Sequence, residues 1–263
     1  MRLAKYHGLG NDFLVLLDLD GRTPVDGATA RPLCDRHRGV GADGLIRATR
    51  VEGGDADVTM ALWNADGGRA ETSGNGLRCL AKALVDAGLV QGPAMTIATD
   101  AGVRRAVVHD DGTVTVGMGT GRIVSNRAMS FHPKEGITDH RFVDMGNPHL
   151  VLAVAAPEKL DVEEFGSELQ RVNPGGLNVE LVAPGPGADE LTMRVWERGV
   201  GETQACGSGA CAAAMAFRDL KEVGDRVTVH QPGGAVDVEL LEDGTLTLTG
   251  PVEYVATVEV PCP

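Results

Sequence analysis

The feature that most constrains this chain is an internal repeat. The stretch GNDFLVL, starting at Gly10, returns as GNPHLVL, starting at Gly146, an offset of 136. TMALWN from Thr59 returns as TMRVWE from Thr192, an offset of 133, so the chain's two tryptophans fall on equivalent positions. At the same offset Ser73-Gly74-Asn75-Gly76 falls on Cys206-Gly207-Ser208-Gly209. The loops RHRGVGAD and RVNPGGLN align at an offset of 135. Short glycine-rich matches are cheap in a chain with 36 glycines. Four matches in one order at nearly one offset are not. Such a chain is expected to fold as two homologous halves, residues 1–118 with 252–263 and residues 119–251.

Local patterns fill in each half. VTMALWN and LTMRVWE alternate like half-buried strands. GLRCLAKALVDAG and GACAAAMAFRDLKEVG read as helices closed by Gly88 and Gly224. Short strands such as GTVTVGM and GTLTLTG follow hairpin-like turns. The fold class expected is α+β: two pseudo-symmetric domains, sheet-rich, with one strong helix per half and a linker near MGTGRIVSN. A cleft between two such domains is a usual place for a small ligand.

Composition narrows the partners. A chain of 263 residues, 43% hydrophobic, can bury a real core. Its net charge of −13 argues against nucleic acid and anionic membrane surfaces, which need basic footprints. No apolar run is long enough for a transmembrane helix. MRLAKYHGLG lacks the apolar core of a signal peptide, so a cytoplasmic location is expected. Five cysteines with no CxxC pair argue against a disulfide framework or a zinc site.

The repeated motif has a chemistry. The first amides of a helix lack intrahelical partners, and the helix dipole favours negative charge there. Glycines let the backbone approach a ligand closely. SGNG and CGSG are thus suited to cradle a carboxylate and to lower a thiol from its free pKa of roughly 8.5 toward neutrality. Two such groups on opposite faces of one carbon suit removal of a proton on one side and its return on the other. The plainer reading makes Ser73 an N-cap and Cys206 a small buried residue. Duplication of the whole context favours the chemical reading.

HGLGNDF, WNADGGRAETSGNGLRC, MGNPHLV, GLNVELV and WERGVGETQACGSGACA together resemble the diaminopimelate epimerase family, over nearly the whole chain and in the family's order. The resemblance implies a cofactor-independent isomerase that converts LL-diaminopimelate to the meso form for lysine and peptidoglycan synthesis. It implies two domains, each a sheet wrapped around a central helix, the last strand near EYVATVEV returning to the first domain, and a homodimer. It implies that Asn11, Asn64, Asn147 and Asn178 contact the substrate's amino and carboxylate groups, for which an amide supplies both donor and acceptor. Glu197 and Arg198 would recognise the distal, unreacting stereocentre. The backbone of Gly74-Asn75 and Gly207-Ser208 would hold the reacting carboxylate. His149 and Glu197 would tune the catalytic groups. Asn75 and Asn178 equally suit a purely turn-forming role, and His149 a structural hydrogen bond.

The family pattern has two catalytic cysteines, and this chain has Ser73 and Cys206. Cys79 falls too far into the helix to substitute. An alcohol is a much weaker acid than a thiol, and an acid–base group typically contributes ~10²–10⁴-fold. Three readings stay open. Ser73 is natural and working, as in relatives of the wider proline-racemase-like superfamily with a Ser/Cys pair. It is an engineered Cys→Ser change that leaves a substrate-binding form. Or it marks altered chemistry, such as a one-base exchange, or another amino-acid epimerase, isomerase or dehydratase. Gly44 is a smaller departure, standing where some members carry a glutamine. GVGADG from Gly39 fits a dinucleotide fingerprint in letters only, since it follows RHR rather than an apolar strand. No lysine setting suggests pyridoxal phosphate, and no histidine spacing suggests a metal. No cofactor is expected.

Overall fold

The computed structural model describes residues 1–51, 53–124, 136–173 and 175–261. The expected linker stretch runs past residue 124, so its end lies outside the described residues. The chain forms two compact units, residues 1–117 with 249–263 and residues 118–248.

The first unit opens with an antiparallel pair, β1 (Arg2–Gly8) and β2 (Asn11–Leu17). Helix α1 (Gly27–Cys34) follows, then β3 (Gly44–Arg50), β4 (Val58–Asn64) and the short β5 (Arg69–Ala70). Helix α2 (Gly74–Asp86) comes next, and after it β6 (Ala94–Thr99), β7 (Gly102–Val108) and β8 (Thr113–Thr120). The pairing is β2–β3 parallel, β3–β4 antiparallel, β4–β5 antiparallel, β4–β6 parallel and β6–β7 antiparallel.

The second unit contains β9 (Arg122–Val124), β10 (Ile137–Asp144) and β11 (Pro148–Val154). Helix α3 (Val162–Val172), β12 (Asn178–Pro184), β13 (Glu190–Glu197) and β14 (Gly201–Thr203) follow. Helix α4 (Gly207–Asp219) leads to β15 (Arg226–Gln231), β16 (Gly234–Leu240) and β17 (Thr245–Pro251). The last strand, β18 (Glu253–Glu259), pairs antiparallel with β1 in the first unit. The second unit repeats the pairing of the first: β11–β12 parallel, β12–β13 antiparallel, β13–β14 antiparallel, β13–β15 parallel and β15–β16 antiparallel.

Why these residues form this frame is legible in their burial. Strands of a parallel pair covered on both faces read as unbroken apolar runs. FLVL of β2, LVLAV of β11 and VELVA of β12 are buried throughout. Alternation assigns their faces. Leu150, Leu152, Val179 and Leu181 pack with Val162 and Leu169 of α3. Gly166 is what lets α3 lie on Trp196, because a Cβ there would meet the indole at 2.0 Å. Helix α4 is buried nearly all round, and its run of alanines keeps it thin enough for that position.

The repeat predicts one strong helix per half, and among the described residues each unit has two α-helices. α1 and α3 are the additional helices. Both carry an acidic N-cap, Asp26 accepting from Thr29 N–H and Asp161 from Glu164 N–H. α3 also has Glu163 and Glu164 in its first turn and Arg171 in its last, the arrangement that complements the helix dipole.

The helix ends also differ from expectation at one place. Gly88 closes α2 with φ +65, its N–H donating to Val85 and that of Leu89 to Leu84. Gly224 does not close α4. That helix ends at Asp219, and Lys221 takes the left-handed position with φ +63, its N–H donating to Arg218 and that of Glu222 to Phe217. The hydrogen bonds of the closing motif override the cost of a side chain in that region, about 1 kcal/mol. Lys221→Gly is therefore expected to stabilise the protein by about 0.5–1 kcal/mol, and Gly88→Ala to destabilise it by about 1 kcal/mol. Urea unfolding of the two variants beside the parent reads both; a loss in Lys221→Gly would show the lysine side chain holding the turn.

Candidate active site

Register brings candidate residues to one end of the paired strands in each unit. In the first unit Phe13 pairs with Gly44, and Gly44 with Asn64. In the second, His149 pairs with Asn178, and the neighbouring Val179 with Trp196, which precedes Glu197. Ser73 is the N-cap of α2 and Cys206 the N-cap of α4.

Around α2 the polar groups form one chain of hydrogen bonds. Ser73 is half-buried, and its Oγ accepts from Gly76 N–H at 3.1 Å. Asn75 is buried, and its Nδ2 donates to Asn11 Oδ1 at 3.0 Å. Asn11 Nδ2 donates to Asp43 Oδ2 at 2.8 Å. Arg78, wholly buried, donates from Nη2 to Asn75 Oδ1 at 2.8 Å. Arg36 donates to both Asp43 and Asp12, and Lys5 lies 2.8 Å from Asp12. Burial alone would raise the Asp12 carboxyl, but the hydrogen bonds and charges of Arg36 and Lys5 outweigh it and hold it below the usual carboxylate range. Asn64 is exposed at the end of β4. Gly44 has no room for a side chain, since a Cβ would lie 2.8 Å from the Trp63 carbonyl oxygen and 3.2 Å from the Phe13 ring. The GVGADG loop sits before β3, not between a strand and a helix; Gly39 is there because a Cβ would strike the Pro32 carbonyl at 2.1 Å.

Around α4 the groups are more deeply buried. His149 and Glu180 are both inaccessible to solvent, with His149 Nδ1 2.6 Å from Glu180 Oε1. His149 Nε2 lies 3.0 Å from Asn147 Oδ1 and 3.5 Å from Asn178 Nδ2. Asn178 Oδ1 accepts from the backbone N–H of Arg198 at 2.9 Å. Arg198 is exposed, its stem lying over Gly176, where a Cβ would meet it at 2.7 Å. Glu197 is half-buried and accepts from Thr203 Oγ1 at 2.5 Å. Burial pushes its carboxyl up, and the Glu180 charge adds to this, against hydrogen bonds from Thr203 and Cys206 and the charge of His149.

Cys206 is 4% exposed. Its backbone N–H donates to Gln231 Oε1 at 2.8 Å, and its Sγ lies 3.6 Å from Ser208 Oγ. The expectation that the helix N-terminus brings this thiol near neutrality is reversed in the structure. Burial pushes the thiol well up, and the carboxylates of Glu197 and then Glu180 push it further. The Ser208 hydroxyl and the Gly209 amide act the other way, without a capping hydrogen bond to the sulfur. Cys79 lies inside α2 and is pushed up to about 12 by burial. Cys34, Cys79, Cys206 and Cys211 are free buried thiols, and Cys262 lies outside the described residues.

The sequence reading missed Asp43, Arg78, Glu180, Thr203 and Gln231. Glu180 and Arg78 had a usable signal: each is a charge inside an otherwise apolar run, VELV and GLRCL. Among the described residues no group of three His, Cys, Asp or Glu side chains is placed to hold a metal ion. Among them, too, no helix is long and apolar enough to cross a membrane.

Comparison with known proteins gives this geometry a context. The family model for diaminopimelate epimerase matches residues 3–124 and 141–255. The chain is 40% identical to a diaminopimelate epimerase of Thermobifida fusca over 284 aligned positions, covering 99% of this chain and 98% of that one. It is 38% identical to one of Halorhodospira halophila, covering 100% and 96%. Among solved structures it is similar to a Bacillus anthracis phenazine biosynthesis protein of the PhzF family, with TM-score 0.74, 17% identity and 99% of both chains covered. It is also similar to a hydroxyproline epimerase from Agrobacterium vitis, with TM-score 0.68, 18% identity and 98% and 91% covered. At these identities the structural likeness speaks for a shared α+β fold.

Two outcomes are expected from this geometry. Asp12 has a depressed folded pKa, so its contribution to stability is present above the unfolded value of about 3.9 and is lost as pH falls below it. Urea midpoints measured between neutral and acid pH are expected to fall less steeply below about pH 4 for Asp12→Asn than for the parent. Gly44→Gln is expected to cost about 1–3 kcal/mol in the same assay, because Trp63 and Phe13 must shift. An unchanged midpoint would show the end of β3 to be loose.

Proposed function

Because the chain belongs to the diaminopimelate epimerase family, we propose that it inverts one α-carbon of LL-diaminopimelate to give the meso isomer, with no cofactor. The observation that carries this reading is Cys206, a thiol at the mouth of α4 with a carboxylate beside it, at the place where the repeat puts Ser73 on α2. The pseudo-symmetric two-half arrangement implied by the repeat belongs to the same reading. Ser73 would act at one face of the α-carbon and Cys206 at the other.

Glu197, its carboxyl raised by burial, takes the Cys206 S–H proton. The thiolate then takes the α-proton: the Cα–H bond breaks and an S–H bond forms. The electron pair left on carbon is spread into the adjoining carboxylate. The amides of Gly74, Asn75, Gly207 and Ser208, in the first turns of α2 and α4, are the donors suited to hold it. A new Cα–H bond forms on the opposite face with the proton of Ser73 Oγ; Glu197 then releases its proton to solvent, and solvent returns one to the Ser73 oxygen. Asn11, Asn64, Asn147 and Asn178 would orient the amino and carboxylate groups, and Arg198 would meet the distal carboxylate.

The Ser73 cap favours a second reading. Its oxygen already accepts from Gly76, and an alkoxide is a poor partner for a thiolate. In that case Cys206 exchanges the α-proton on one face with no inversion. The expected result in D₂O is slow loss of the LL-diaminopimelate α-proton signal with meso product, accelerated about 10²–10⁴-fold in Ser73→Cys. Deuterium uptake with the LL configuration retained would establish the one-face exchange. If neither protein removes the signal, diaminopimelate is the wrong substrate. The homodimer implied by the resemblance is part of the proposal, and sedimentation velocity of the purified chain tests it.

A further inference from the structure

Glu180 has no part in the steps above, yet it is among the most unusual side chains in the molecule. It stands on β12 between Val179 and Leu181, which face α3, and so it points to the other side of the strand, toward α4. A carboxylate is placed there where packing alone calls for an apolar group, and it is wholly buried. Oε1 lies 2.6 Å from His149 Nδ1. Oε2 is buried with no hydrogen-bond partner among the described residues. The carboxylate also lies against the first turn of α4: a Cβ on Gly209 would be 2.9 Å from Oε1.

A buried, incompletely satisfied carboxylate is costly, and each such group in a folded protein calls for a reason. Resting on the reading of Cys206 as the proton-transfer thiol, we infer that Glu180 is a positioning residue for that thiol. It fixes His149 through Nδ1, and it sets a negative charge beneath the first turn of α4 that keeps Cys206 protonated until substrate arrives. The carboxylate lies against His149 Nδ1, and the ring's other nitrogen, Nε2, is turned to Asn147 Oδ1 and Asn178 Nδ2. Glycine at 209 is needed because any side chain would displace this carboxylate.

The charges around Cys206 are few. On the strands packed against α4, Glu197 of β13, Glu180 of β12 and His149 of β11 are at the Cys206 end. Arg141 of β10 is paired with Asp219 at the helix C-terminus. On β15, His230 is paired with Glu190 and Arg226 with Glu239 of β16. Asp237 of β16 accepts from Thr228. The first turn of α4 has no acidic residue. Among the described residues, Glu197 and Glu180 are the negative charges set near the sulfur, in keeping with the direction of its shift.

The test measures the thiol itself. The rate of Cys206 alkylation by iodoacetamide is followed by peptide mass spectrometry across neutral pH, in the full chain and in Glu180→Gln and Glu180→Asp. Glutamine keeps the size and the acceptor for His149 but removes the charge. The expected result is labelling of Cys206 about tenfold faster in Glu180→Gln at a given pH, from a midpoint about one pH unit lower. Glu180→Asp should stay near the parent. No gain in Glu180→Gln, or an equal gain in Glu180→Asp, would overturn the inference, the second result marking a loosened core instead. Circular dichroism of each variant confirms that it is folded. Because labelling needs no substrate, this result is separable from the D₂O experiment, in which the functional reading stands or falls.

Discussion

A helix begins with amides that have no partner inside it, and the rest of this protein is arranged around two such beginnings. At α2 and α4 the chain spends small residues, Gly74 and Gly76, Gly207 and Gly209, to keep that first turn bare. The strands then bring polar side chains to it. In the first unit Asn75 reaches from the turn to Asn11, and Asp43 fixes Asn11 in turn. In the second, Gln231 takes the backbone N–H of Cys206 and leaves the sulfur facing Ser208.

The two turns differ in how charge is managed. A helix dipole is worth about 0.3–1 kcal/mol near the surface and about 2 kcal/mol at most. A full burial shift reaches about 3–5 pKa units, and each unit is about 1.4 kcal/mol. At Cys206 burial therefore wins over the dipole, and two carboxylates add to it. The same cluster holds Glu197, whose carboxyl burial pushes up and which accepts a hydrogen bond from the thiol. At α2 the Ser73 oxygen serves the helix that it caps, accepting from Gly76 N–H.

Much of the frame was written in the chain. The repeat at offsets of 133 to 136 set equivalent strands and equivalent helix starts, because each copy repeats the same apolar runs and the same glycine turn. Less legible were α1 and α3. Their cap residues, Asp26 and Asp161, are ordinary local signals. The repeat drew the eye to α2 and α4 because those carry the matched glycines. Lys221 was not legible either, since a left-handed lysine is invisible until the closing hydrogen bonds of α4 are seen.

The sequence by itself determined the matched copies and the residues that start α2 and α4; the asparagines, Glu197, Arg198 and His149 were named only by the family resemblance. The matched copies are properties of local pattern, which the chain carries wherever it folds. Only the tertiary structure decided what each group feels. Register put His149 beside Asn178. Strand alternation turned Glu180 from the apolar layer under α3 toward the first turn of α4. Packing enclosed Cys206 deeply enough to reverse the influence of its own helix. These outcomes depend on which atoms are near and how much water is excluded, quantities that no spacing along the chain contains.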